Sequence, residues 1–234
     1  MNLLRRLIRE ICGAAGPDIT DVLGTAQLAH LGQVRRSGEP YIEHPKEVAR
    51  IVDGFYGDPA LCAAALLHDT LEDAVAQGNF ESTEELETMI TASFDDPQVG
   101  NEVLRVIRKL THKKDVPYHD YVLSLLGDAG ALKVKLSDML HNLRSNPSPR
   151  QLSKYAKTLQ TLQKASGGIP PGINQGHWNE LQKAASIKLT SENILRTTIR
   201  GVLKEASEPI RMPMSLHIPT DLQEIHRKMK LSGK

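Results

Sequence analysis

The stretch Leu66-Leu67-His68-Asp69-Thr70-Leu71-Glu72-Asp73 constrains this 234-residue chain more than any other. Four groups able to ligate a metal or carry a proton, His68, Asp69, Glu72 and Asp73, follow directly on the apolar run Ala63-Ala64-Ala65-Leu66-Leu67. Residues four apart are neighbours on an α-helix, so the spacing predicts one helix with His68 under Glu72 and Asp69 under Asp73. The alanine-rich run predicts that this helix is buried. A buried patch of three carboxylates and an imidazole is costly to desolvate unless a positive charge sits among them, and a divalent cation supplies one.

Two distant groups extend the pattern. His44 lies in Tyr41-Ile42-Glu43-His44-Pro45, where Pro45 is placed to open a helix through Val48, Ile51 and Val52. Asp138 is an acid inside the largely apolar helical segment Leu132 to Leu143, and an acid there requires a partner. His44, His68, Asp69 and Asp138 together offer two nitrogens and two carboxylates, a set that suits Mn, Fe, Co or Zn better than a thiolate-preferring metal. Cys12 and Cys62 stand outside it.

The rest of the chain predicts an all-α fold. Aromatic residues make up 4% and apolar residues 40%, so the core is aliphatic and helix-rich. Asp58-Pro59, Asp96-Pro97 and Ser148-Pro149 read as helix starts, and Ser82-Thr83-Glu84-Glu85 as a capping box. No strand alternation interrupts them. Leu3, Leu4, Leu7, Ile8 and Ile11 share one helix face, interrupted by Arg5, Arg6 and Arg9 in a way a signal peptide would not be. The breaker-rich run Ser166 to Gly172 predicts a linker, followed by helices over 178–189, 192–206 and from Thr220. A net charge of +1 argues against a nucleic-acid partner, and no stretch has the apolar length of a membrane span. Two separated cysteines fit a reducing, cytoplasmic setting. A homo-oligomer is left open.

With these residues in place, the chain resembles the HD-domain metal-dependent phosphohydrolases, specifically the RelA/SpoT-type hydrolase domain. The resemblance rests on Ala29-His30, Gln33, Arg35-Arg36-Ser37-Gly38-Glu39-Pro40-Tyr41-Ile42 and His44-Pro45, then Leu67-His68-Asp69 with Glu72-Asp73, then Lys109-Leu110-Thr111, then Val134 to Asp138 with Leu140 to Leu143. It covers Thr20 to Ala165. It implies an HD-type hydrolase domain over 1–165, additional C-terminal helices over 166–234, and one Mn²⁺ per chain held by His44, His68, Asp69 and Asp138. The implied activity is hydrolysis of (p)ppGpp at its 3′-diphosphate to GDP or GTP and pyrophosphate. The stretch after Ala165 is too short for a synthetase domain, so a stand-alone small alarmone hydrolase is expected.

The same resemblance puts Arg35, Arg36, Ser37, Asn142 and Tyr155 at nucleotide contacts. Arginine suits the diphosphates because its planar fork pairs with phosphate oxygens. Glu72 and Asp73, one turn beyond the metal ligands, are expected to take a water's proton. Two other classes stay open: a metal-dependent phosphatase of another nucleotide such as NADPH, and a non-catalytic nucleotide-sensing or partner-binding module. Ser137 and Met139 depart from the family's usual residues, and Asp73 to Ser82 is longer than usual, which bears on the pocket rim.

Overall fold

The computed structural model describes residues 19–73, 77–113 and 115–186, and all elements named here lie among them. They are α1 (Ile19–Ala29), α2 (Glu43–Tyr56), α3 (Pro59–Leu66), α4 (Thr70–Asp73), α5 (Thr83–Ala92), α6 (Pro97–Leu110), α7 (Tyr118–Ser124), α8 (Ala129–Arg144) and α9 (Pro149–Ser166). Residues 175–186 are also helical. The described residues carry no strand, only an isolated bridge between Val34 and Pro40.

The core is built around α3, whose residues Leu61 to Leu66 are all buried. Alanines at 63, 64 and 65 let neighbouring backbones come close, and α2, α6 and α8 all pack on this helix. Burying each of Leu66 and Leu67 stabilises by about 2 kcal/mol. Around this centre, α1 buries Val22, Leu23, Ala26 and Ala29, one stripe at helical spacing. At Gly100 a Cβ would come within 2.9 Å of the Thr91 carbonyl oxygen, so the contact of α5 with α6 requires glycine there.

The helix starts follow the sequence signals, since capping side chains satisfy amides that have no partner in the first turn. Asp58 accepts from the Ala60 and Leu61 amides, Asp96 from Gln98, and Ser148 with Gln151 completes a capping box. Two starts differ from expectation. Ser82 caps the Glu85 amide, but the Glu85 carboxylate reaches back to the Glu81 amide, so the box at Ser82 is only half made. Pro45 sits in the first turn of α2, which begins two residues earlier at Glu43.

The principal difference lies at the motif itself. The chain is not one helix from Pro59 to Asp73: α3 ends at Leu66 and α4 starts at Thr70. His68 Nδ1 donates to the Ala65 carbonyl and Thr70 Oγ1 to the Leu67 carbonyl, each at 2.7 Å. These side chains occupy carbonyls that a continuing helix would need, so the helix stops and restarts. His68 and Asp69 therefore occupy a turn between two helices and are not stacked one turn below Glu72 and Asp73.

Residues after α9 join the same core. Gly167 ends α9 at φ 66, and Trp178 and Leu181 are buried. His177 stacks on Phe55 with ring centroids 4.6 Å apart and shares a 2.8 Å hydrogen bond with Tyr56. The helices anticipated over residues 3–11, 192–206 and from Thr220 lie outside the described residues, as does the end of the 178–189 helix.

Candidate metal centre

The turn at His68-Asp69, the start of α2 and the middle of α8 meet at one point. His68 Nε2 lies 3.0 Å from Asp69 Oδ2 and 3.9 Å from Asp138 Oδ1. His44 Nε2 lies 3.3 Å from Asp138 Oδ1 and 3.7 Å from Asp69 Oδ2. One ligand atom from each of His44, His68 and Asp69 falls within a 4.8 Å group, and Asp138 adjoins it. Glu72 is exposed and outside this group, its carboxylate accepting from the His112 amide. Asp73 closes α4, and its side chain lies outside the described set.

Hydrogen bonds fix how these groups point. Because His68 Nδ1 is committed to the Ala65 carbonyl, Nε2 is the nitrogen turned to the carboxylates. That buried Nε2 has no hydrogen-bond partner, although Asp69 Oδ2 is close: the distance is short and the alignment is not that of a hydrogen bond. Tyr41 donates to Asp69 Oδ2 at 2.6 Å. Asp138 Oδ2 accepts from Lys135 at 3.0 Å, and Oδ1 accepts from Asn142 at 2.5 Å.

The electrostatics agree with a site built for a cation. Burial disfavours charge on His68, but the carboxylates of Asp69 and Asp138 outweigh it and hold its pKa at about 9. Burial likewise raises Asp69, and the opposing attraction of His68 leaves its carboxyl below the usual range. Asp138 is also desolvated, yet Lys135 and His44 keep it well below its ordinary value. Two ionised carboxylates thus face two imidazole Nε2 atoms. A divalent ion fits this donor set, and in binding it would take the place of the His68 Nε2 proton.

The centre opens onto a cleft of about 1380 Å³. Arg35, Arg36 and Ser37 line it from the loop between α1 and α2, where Gly38 at φ 87 makes the turn and the Arg35 amide bonds the Glu39 carbonyl. Asn142 lines it from α8, and both ends of its amide are engaged: Nδ2 on Asp138 and Oδ1 under the Arg35 guanidinium at 3.2 Å. Tyr155 is buried and is not among the lining residues; Lys154 lies over its ring at 4.9 Å and faces the cleft itself. Lys109 of the Lys109-Leu110-Thr111 motif belongs to the last turn of α6, and Thr111 caps that helix.

Two participants, Tyr41 and Lys135, escaped the residue-by-residue reading, and His141 was legible only as a histidine that orients neighbours or fills a partly buried position. Tyr41 had a signal in the Tyr-x-x-His spacing that places it beside His44. Lys135 stands three residues before Asp138, an ion-pair spacing on a helix. His141 carries no such mark, because its partner, His44, is brought near only by the packing of α2 on α8.

A helical bundle with this metal-ready centre is an HD domain, and the HD domain family's profile matches residues 23–163. The chain belongs to that family. Its relatives are of the RelA/SpoT type: it is 36% identical over 163 residues to a putative GTP diphosphokinase of the chloroplast of Oryza sativa subsp. japonica, covering 62% of this chain and 17% of the rice protein. Over 141 residues it is 36% identical to a GTP pyrophosphokinase of Brucella melitensis, covering 55% and 18% respectively. A related Arabidopsis thaliana protein, again a putative chloroplast GTP diphosphokinase, is 37% identical over 146 residues, with 57% and 16% coverage. The matched region therefore spans about a sixth of these relatives. Among the described residues no helix is long and apolar enough to cross a membrane.

Proposed function

We propose that this chain hydrolyses the 3′-diphosphate of a guanosine nucleotide of the (p)ppGpp type, giving GDP or GTP and pyrophosphate. The observation that carries the reading is the convergence of His44, His68, Asp69 and Asp138 at the base of a cleft rimmed by Arg35 and Arg36. Those four side chains would hold a single divalent ion, for which we favour Mn²⁺. A bound ion of this kind can bring a water's pKa from 15.7 to about 7 in the best cases, making hydroxide available near neutral pH.

The protein's own groups do the rest. Arg35 and Arg36 neutralise the diphosphate and set its orientation through charge-assisted hydrogen bonds. Ser37 completes the nucleotide contacts in this reading, with Asn142 beside it, while Tyr155, buried beneath Lys154, would act only through that lysine. Glu72, steadied by the His112 amide, accepts the proton of the attacking water, and Asp73 orients it; such general-base help contributes about 10² to 10⁴ in rate. Water oxygen bonds to the phosphorus carried by O3′, the P–O3′ bond breaks, and O3′ takes up a proton, so nucleotide and water become GDP and pyrophosphate. The hydrolase unit is taken as residues 1–165 and the remainder as a C-terminal extension, in a cytoplasmic protein.

The relatives are named for placing a diphosphate on GTP, and those names belong to proteins about six times the matched length. The link that both directions share is a guanosine nucleotide carrying a diphosphate. Chromatography of products from ppGpp, GTP and NADPH incubated with Mn²⁺-loaded protein tests the proposal. GDP and pyrophosphate from ppGpp are expected. Single phosphates from NADPH or GTP, with ppGpp untouched, would assign the chain to a general nucleotide phosphatase, and binding of ppGpp without turnover to a sensor.

A further inference from the structure

Ser145, His141 and His44 form a chain of hydrogen bonds for which the surrounding donors and acceptors favour one placement of the protons. Ser145 Oγ spends its one proton on the His141 carbonyl at 2.9 Å, so toward His141 Nε2, 3.1 Å away, it can only accept. His141 is thereby protonated on Nε2 and bare on Nδ1. Arg35 Nη1, which can only donate, lies 3.4 Å from that same Nδ1 and agrees with this assignment. His44 Nδ1 is 2.7 Å from His141 Nδ1, and two ring nitrogens at that distance need one donor and one acceptor. His44 must therefore carry its proton on Nδ1, and a neutral His44 then turns a bare Nε2 toward Asp69 and Asp138.

We propose that His141 is a positioning residue that locks His44 in the metal-ligating tautomer and joins it to Arg35 of the substrate cleft. A metal-binding histidine ordinarily gives its second N–H to a carboxylate, a carbonyl or water; here the acceptor is another imidazole, whose own tautomer is set by Ser145. The neighbouring residue makes a parallel connection, since Asn142 accepts from Arg35 and donates to Asp138. Successive residues of α8 thus tie one arginine to two candidate ligands. Seating of Arg35 and seating of the ligands become one arrangement.

The inference rests on the metal-centre reading above, and the test separates the two. Mn²⁺ affinity is measured by electron paramagnetic resonance on the folded full chain for wild type, His141→Phe and His141→Gln, with circular dichroism confirming the fold. Loss of a group that orients a ligand typically weakens metal binding about 10- to 100-fold. That loss is expected for His141→Phe, which keeps a ring and removes the acceptor, while His141→Gln, whose carbonyl can accept, stays within about threefold of wild type. Wild-type affinity in His141→Phe, or equal losses in both folded variants, would overturn the role of His141 and leave the metal centre standing. No Mn²⁺ binding by wild type would overturn both. Should His141→Phe fail to fold, ¹⁵N chemical shifts of the wild-type imidazoles in metal-free protein decide the matter: His141 protonated on Nε2 alone is the expected result, and His141 protonated on Nδ1 overturns it.

Discussion

Lys135→Met removes the ammonium that sits 3.0 Å from Asp138 Oδ2 in a largely buried pair. Breaking one side of a buried ion pair costs about 3–5 kcal/mol, because the remaining charge is left without compensation. Asp138 keeps Asn142 at 2.5 Å and His44 at 3.3 Å, which places the cost at the lower end, about 3 kcal/mol. For a chain of this size that corresponds to a fall in Tm of roughly 6–12 °C. A divalent ion at the opposite face of the same carboxylate supplies the missing positive charge, so the loss should shrink to about 1 kcal/mol in saturating Mn²⁺. Linkage then requires the variant to bind Mn²⁺ more tightly by the difference of about 2 kcal/mol, roughly 30-fold. Urea unfolding in EDTA and in excess MnCl₂ measures both quantities. An equal loss of stability in the two conditions would show that Lys135 and the metal do not compensate the same charge, and the reasoning would be refuted.

Asp69→Ala should abolish both metal binding and turnover, since Asp69 faces His68, His44 and Tyr41 at once; full metal occupancy by elemental analysis would remove it from the centre. Glu72→Gln and Asp73→Asn should each retain the metal while turnover falls by about 10² or more, and unchanged turnover in both would take these residues out of proton transfer. Burial lowers the pKa of His177 to about 4, so between pH 6.5 and 4 the unfolded chain binds a proton that the folded chain does not. The contribution of His177 is therefore intact above pH 6.5 and lost as pH falls toward 4, by up to about 3 kcal/mol. His177→Gln should flatten the decline of the urea midpoint across that window, and an identical slope would count against the assignment.

The sequence carried the helix starts well because capping is local: Asp58, Asp96 and Ser148 each act on amides within three residues. The four candidate ligands were legible for a different reason. Ionisable groups set among apolar residues, as at Asp138, announce a partner before its position is known. The break after Leu66 was not legible from periodicity, since it depends on His68 and Thr70 turning their side chains onto carbonyls of α3. Nor were the connections of His141, which join residues 97 and 106 positions apart. Spacing describes neighbours along one helix, and this site is made where three segments meet. Residues 175–186 show the same limit: a helix starting near Trp178 was legible, but the burial of Trp178 on the core is a tertiary fact.

The most direct test of the proposed chemistry follows the oxygen of water. Mn²⁺-loaded protein is incubated in H₂¹⁸O with ppGpp alone, and separately with ATP and GTP, and the products are weighed by mass spectrometry. Hydrolysis at the phosphorus bound to O3′ predicts consumption of ppGpp without any acceptor nucleotide, one ¹⁸O in the pyrophosphate and none in the GDP. Label in GDP, or no reaction with water together with transfer of a diphosphate from ATP to GTP, would contradict the account.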